Sequence, residues 1–234
     1  SAVPRAPHPS TLPPSTPPVV PQASRLRVPR ASPPGLFPGR RGRLPPLPGA
    51  DLAYAPQALD DAAGWLARLQ AEIPWEQHRV RIFGRELDAP RLSCWVGDAG
   101  AAYTYSRVRF APRPWTPALA ALRGWLQAQL AAPFNAVLCN LYRDGRDSMG
   151  WHSDDEPELG PEPVIASLSF GAVRRFRLRH RHDASRRLEL DLAPGSLLLM
   201  RGATQRHYRH DLPRSARVQA PRLNLTFRRI VAPS

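Results

Sequence analysis

"RLNLTFRRI", residues 222–230, alternates strictly as far as Arg228. Leu223, Leu225 and Phe227 fall on one side of an extended chain, and Arg222, Asn224, Thr226 and Arg228 on the other. A period of two reads as a strand with unlike faces. The apolar face needs a hydrophobic neighbour. If the opposite face lined a barrel interior, its unpaired arginines would be costly. An internal dianion would remove that cost, each carboxylate taking charge-assisted bonds from a guanidinium. The competing reading is an ordinary strand with a solvated basic face.

Upstream the same rhythm repeats. "AVLCNLY" (136–142) ends in the turn "RDGRD", and "VIASLSF" (164–170) ends in "GA". "RRFRLRH" (174–180) is followed by "RRLELDL" (186–192), then "APGSLLLM" (193–200). Short strands separated by turn residues predict a sandwich or jelly roll. Two helices precede them. In "ALDDAAGWLARLQAEI" (58–73), Leu59, Ala62, Leu66, Leu69 and Ile73 recur at helical spacing. Thr116 caps a second helix with proline at its first position, and Leu119, Leu122, Leu126 and Leu130 form its stripe. The predicted class is mainly β with flanking helices (α+β).

Residues 1–50 hold 15 of the 29 prolines, seven arginines and no acidic residue, and read as a disordered Pro/Arg-rich tail. The ordered domain is expected over 51–234. All 33 basic residues are arginine against 19 acidic ones, a formal charge of +14, which favours a polyanionic partner. Charge alone does not separate nucleic acid from an anionic membrane. No apolar run reaches the roughly 20 residues of a membrane span, so no membrane partner is expected. The two cysteines, Cys94 and Cys139, lack metal-like spacing and fit a reduced, intracellular setting. The tail, or a segment preceding Ser1, is the expected place for a replication or repair partner.

"GWHSDDEPELG" (150–160) puts His152 and Asp154 two apart, so that in an extended segment both point one way. A third ligand must come from elsewhere. His180, His182, His207 and His210 are candidates, with His210 preferred because it precedes the segment leading to the last strand. Two histidines and one carboxylate suit iron(II) with open positions. Alone, the pair reads equally as a polar loop. Asn140 and Tyr142 share a face and carry donors suited to a carboxylate.

These segments, "NLYRDGRDSMGWHSDDEPELGPEPVIASLSFGA" with "RHDLP" and "APRLNLTFRRI", resemble the AlkB family of iron(II)- and 2-oxoglutarate-dependent dioxygenases. The likeness runs from about Phe83 to Ile230 and is nearest to nuclear members that repair alkylated double-stranded DNA. It implies a double-stranded β-helix (jelly-roll) core, Fe(II) held by His152, Asp154 and His210, and 2-oxoglutarate held by Asn140, Tyr142, Arg222, Thr226 and Arg228, with Asn224 nearby. It also implies nucleotide-recognition elements at Phe83, Gly84 and Arg85 and at Tyr103, Thr104 and Tyr105. Phe83 would be a finger filling the gap left by a flipped base, and Asp155 would contact the damaged base. Phosphate contacts are expected at Arg85, Arg91, Arg107 and arginines within 174–187 or 214–217. The implied reaction is oxidative demethylation of 1-methyladenine and 3-methylcytosine in duplex DNA, releasing formaldehyde, succinate and carbon dioxide. A nuclear monomer is expected. The rival readings are a demethylase of single-stranded DNA or RNA and a non-catalytic basic binding module, with protein oxidation a third; the interrupted basic run "RSAR" at 214–217 leaves duplex against single-strand preference open.

Overall fold

The computed structural model describes residues 42–105 and 108–231, without the side chains of Tyr105 and Val108. The tail before Gly42, Arg107 and residues 232–234 lie outside the described residues. Strands are numbered in chain order. The larger sheet runs β1 (Asp51–Ala55), β12 (Ser196–Arg201), β9 (Ile165–Gly171), β14 (Arg222–Arg228), β7 (Ala136–Tyr142), β4 (Leu92–Gly97). The smaller runs β11 (Arg187–Leu192), β10 (Arg174–His180), β13 (Tyr208–Leu212), β8 (Met149–His152). All pairings within both sheets are antiparallel. This is the expected jelly roll. Two hairpins stand apart from it: β2 (Arg79–Ile82) with β3 (Arg85–Asp88), and β5 (Tyr103–Tyr105) with β6 (Val108–Phe110).

Strand β14 settles the architecture because every one of its seven residues is buried. Leu223, Leu225 and Phe227 face helices α1 (Ala62–Glu72) and α2 (Pro117–Leu130), packing in one cluster with Trp65, Leu69, Leu119, Leu122 and Leu126. Each such side chain contributes about 1.5–3 kcal/mol by leaving water. The other face of β14 looks between the sheets. At one end of that interior, Ile165, Leu198 and Met200 meet Phe176, Leu178, Leu188 and Tyr208. At the other end the interior is polar.

The helices form for the expected reasons, with shifted bounds. Thr116 accepts from the Leu119 amide at 3.3 Å, and Pro117 opens α2. α1 begins later than its apolar spacing suggests, because Asp61 takes the N-cap and accepts from the Gly64 amide at 3.1 Å. Leu59 is therefore buried ahead of the helix, and Trp65 joins Leu69 on its inner face. The domain also begins before Asp51. Gly42 bridges Tyr54, Leu44 and Leu47 pack on the inter-sheet core, and the Tyr208 hydroxyl donates to the Pro48 carbonyl at 2.6 Å. The apolar residues in this proline-rich stretch find a partner surface, which composition does not reveal.

Gly171 closes β9 at φ +80°, and a Cβ there would stand 2.3 Å from the Pro221 carbonyl, just before Arg222. Gly171→Ala should therefore cost about 2 kcal/mol or more through backbone strain and overpacking, read as a lower urea midpoint at unchanged slope.

Candidate metal and co-substrate site

The smaller sheet brings two histidines together. His152 on β8 is the register partner of His210 on β13, and their rings lie 4.2 Å apart between centroids. Asp154 lies beyond the end of β8, with its backbone amide donating to Gln205 Oε1 at 2.9 Å. Gln205 belongs to the short helix α3 (Thr204–His207). One ligand atom from each of His152, Asp154 and His210 falls within 4.8 Å of the others. His210 Nε2 is 3.6 Å from Asp154 Oδ2. His180, His182 and His207 cluster elsewhere, with the His180 ring 6.0 Å from His207 and 6.1 Å from His182.

The protonation pattern suits a cation. His152 Nδ1 lies 2.8 Å from the Gly150 carbonyl, which can only accept, so the proton sits there and Nε2 is left as a ligand. Burial, then the neighbouring His152, pushes His210 down to about 3 against the pull of Asp154, so it is neutral at physiological pH. Burial alone would raise the Asp154 carboxyl, yet Arg228, His210 and His152 hold it below the usual aspartate range. Two imidazoles and one carboxylate, all available to one ion, match Fe(II).

Behind the three side chains lies a narrow cavity of about 50 Å³, lined among others by Asn140, Tyr142, Arg222, Asn224, Thr226 and Arg228. Register places Arg222 opposite Tyr142 and Asn224 opposite Asn140. Arg222 and Arg228 are 2% and 1% exposed, too buried for water to serve them. Arg222 donates to Ser169 Oγ at 2.9 Å but leaves Nε without a partner. Arg228 reaches Asp154 Oδ1 at 3.4 Å and leaves Nε and Nη1 without partners. Burial lowers the Arg222 guanidinium to about 10, which keeps it charged at neutral pH. Orphaned guanidinium nitrogens at both ends of one buried strand fit a small dicarboxylate such as 2-oxoglutarate. Asn224 differs: it donates to Ser167 Oγ and the Leu168 carbonyl and accepts from Thr226, so it is already satisfied. Sequence reading passed over Ser167 and Ser169, although two small polar residues at alternate positions of "VIASLSF" mark an inward face. It also passed over Ser93, which donates to Asn140 Oδ1 at 2.9 Å and fixes that amide.

In front of the metal ligands opens a cleft of about 620 Å³. It shares His152, Asp154, Asn140, Met149 and Leu138 with the inner cavity, so two of the ligands form a floor between two chambers, and His210 lines the inner one. Gly84, Arg91 and Tyr103 line the cleft. Phe83 stands fully exposed at the tip of the β2–β3 hairpin, at φ 49°, and Arg85 beside it is also exposed. Tyr103 is buried, stacked on Trp95 at 4.6 Å, with its hydroxyl 2.5 Å from Glu156 Oε1. Two residues expected at the nucleotide lie away from the cleft. Thr104, next to inward Tyr103, points the other way and lines a separate hollow with Asp98 and Arg109. Asp155, next to inward Asp154, is exposed and paired with Arg181 at 2.6 Å, and it does not line the cleft. Adjacent residues of an extended chain alternate sides. The inward neighbour is Glu156, whose carboxyl is raised by burial and whose Oε2 lacks a partner.

Several expected phosphate contacts have other work. Arg91 is 7% exposed and donates to the Ser148 carbonyl, and Arg174 donates to the carbonyls of Asp144, Asp147 and Pro213. Arg179 is register partner to both Arg187 and Arg209, a row of three arginines across the smaller sheet. None of the three has a carboxylate partner among the described residues. Like charges placed side by side destabilise a sheet unless a counter-charge covers them.

Comparison with known proteins follows the same lines. The 2OG-Fe(II) oxygenase superfamily profile matches residues 52–228, and the chain belongs to that superfamily. Its relatives include the alpha-ketoglutarate-dependent dioxygenase alkB homolog 3 of Mus musculus, 41% identical over 181 residues, covering 74% of this chain and 63% of that protein. The DNA oxidative demethylase ALKBH2 of Homo sapiens is 46% identical over 160 residues, covering 65% and 61%. The match thus spans less than two thirds of either relative's length. The solved structure of OsALKBH1 shares the fold at TM-score 0.55 and 18% identity, covering 81% of this chain and 99% of that one.

The buried imidazole gives a pH signature. Below its ordinary 6.5 the unfolded chain protonates His210, whereas the folded chain resists until about 3. Its contribution to stability is therefore complete above 6.5 and lost as pH falls toward 3. In metal-free protein, His210→Gln should flatten the fall of unfolding free energy across that window, measured by urea titration at stepped pH.

Proposed function

We propose that this protein is an Fe(II)- and 2-oxoglutarate-dependent oxidative demethylase of N-alkylated bases in DNA, with 1-methyladenine and 3-methylcytosine in duplexes as substrates. The observation that carries this is the pair of ligands, His152 and Asp154, shared by an arginine-lined inner cavity and a base-sized outer cleft, with His210 on the inner side. One chamber suits a dicarboxylate, the other a flipped nucleotide. Names of the relatives support nucleic acid as the substrate class.

In this reading His152, Asp154 and His210 would hold Fe(II), which with 2-oxoglutarate would let dioxygen act as the oxidant: one oxygen atom goes to succinate, formed with carbon dioxide, and the other hydroxylates an N-methyl group that leaves as formaldehyde. The protein supplies the geometry. Gly150 holds the His152 tautomer, Gln205 holds Asp154, and Ser93 turns Asn140 so that its amide nitrogen is available to a carboxylate. Arg222 and Arg228 bind the diacid, and the buried walls exclude water. Extruding a base costs a few kcal/mol, less where the lesion already disrupts pairing. Phe83 supports duplex action, because an aromatic at a bare hairpin tip replaces lost stacking. The Arg187–Arg179–Arg209 row supports sequence-neutral phosphate contact. A genomic substrate would put the protein in the nucleus.

Formaldehyde release should be compared on duplex and single-stranded oligonucleotides carrying either lesion, with and without 2-oxoglutarate. Release should require 2-oxoglutarate, and His152→Ala should bring it to background. Phe83→Ala should cost duplex repair about tenfold, within the 1–3 kcal/mol of a base–aromatic stack, while single-strand repair holds. Equal losses on both would favour a single-strand substrate.

A further inference from the structure

The metal floor depends on an edge strand that is weakly held. β8 is the last strand of its sheet, paired with β13 at His152–His210 and at Met149–Leu212, with a register shift between. Gly150 and Trp151 thus oppose the single residue Asp211, which makes a β-bulge. Bulges beside sites re-aim side chains at the expense of ladder hydrogen bonds. Here the bulge turns the Gly150 carbonyl onto His152 Nδ1 at 2.8 Å.

What fixes the bulge lies on the far face of the sheet. Trp151 sits against two guanidiniums of β10, with Arg179 at 4.4 Å and Arg177 at 5.2 Å from its ring centroid. Arg177 is itself anchored. Its Nε donates to Asp211 Oδ1 at 2.8 Å and its Nη2 to Oδ2, a two-toothed grip on a carboxylate only 5% exposed. Asp211 follows His210, and Trp151 precedes His152. One chain of contacts therefore ties the two histidine-bearing strands together one residue away from each ligand.

We propose that Trp151, Arg177 and Asp211 form a brace that sets the metal affinity of the site by holding the Gly150–Trp151 bulge, and with it the His152 ring, in its ligating orientation. None of the three belongs to the ligand set, and although Asp211 borders the inner cavity its carboxylate is taken by Arg177, so all are positioning residues. The inference rests on the assignment of His152 and His210 as metal ligands.

The test is Mn(II) titration of the metal-stripped full chain, with free Mn(II) followed by electron paramagnetic resonance and unfolding of the metal-free variants measured alongside. Trp151→Ala should weaken Mn(II) binding about tenfold, the scale on which outer-shell partners act. Trp151→Phe, which keeps an aromatic face for both guanidiniums, should bind like the unaltered chain. Asp211→Asn, which keeps the shape but not the charge, should fall between. A Trp151→Ala protein that is less stable but binds Mn(II) normally overturns the brace, as does equal weakening in the alanine and phenylalanine variants. If Trp151→Ala does not fold, normal binding by Asp211→Asn overturns it. An unaltered chain that fails to bind Mn(II) defeats the ligand assignment itself, whereas normal binding with insensitive variants defeats the brace alone.

Discussion

Strand β14 carries two guanidiniums into an interior where neither finds enough acceptors. A buried cation of that kind is tolerated only when something compensates it. Arg228 has part of its answer in Asp154, and Arg222 has a serine hydroxyl and the face of Tyr142. Both remain under-satisfied. The packing of Leu223, Leu225 and Phe227 on the helices forces this arrangement, since in a strand the residues between them have nowhere to go but inward. The apolar face thus stabilises the fold and, in the same stroke, aims the charges.

The two sheets divide the labour. The larger provides the arginines and the amide and hydroxyl lining, and the smaller provides the imidazoles. Asp154 sits between, touching Arg228 from one sheet and His210 from the other. Because the floor is shared, anything that moves the smaller sheet relative to the larger alters both chambers together.

Much of this was legible in the sequence, and the reasons for the rest are physical. β7, β9, β10, β11, β12 and β14 announce themselves by alternation or by uninterrupted apolar runs, and Thr116 with Pro117 marks α2 plainly. β1, β8 and β13 do not, because "DLAYA" and "MGWH" are too short for periodicity to register and "YRHDL" is both short and polar. Their strand character comes from partners distant in the chain. The His152–Asp154 spacing was visible, His210 was the preferred third ligand, and cross-strand register brings it beside His152. Asp155 and Thr104 were carried along by their neighbours, although alternation from Asp154 and Tyr103 turns both outward. Ion pairs such as Arg177–Asp211 span 34 positions and leave no local mark.

The segment from Gly42 to Ala50 runs up to the edge strand β1 and bridges back to it. β1 ends the larger sheet, and its outer rim would offer unpaired amides and carbonyls to any passing strand. The bridge from Gly42 to Tyr54, with Leu44 and Leu47 seated beside it, occupies part of that rim. The proline-rich stretch thus works as a selvedge: its nine residues cover part of an edge open to pairing, and a polypeptide trimmed at Asp51 would lose that cover along with two leucines packed against the inter-sheet core.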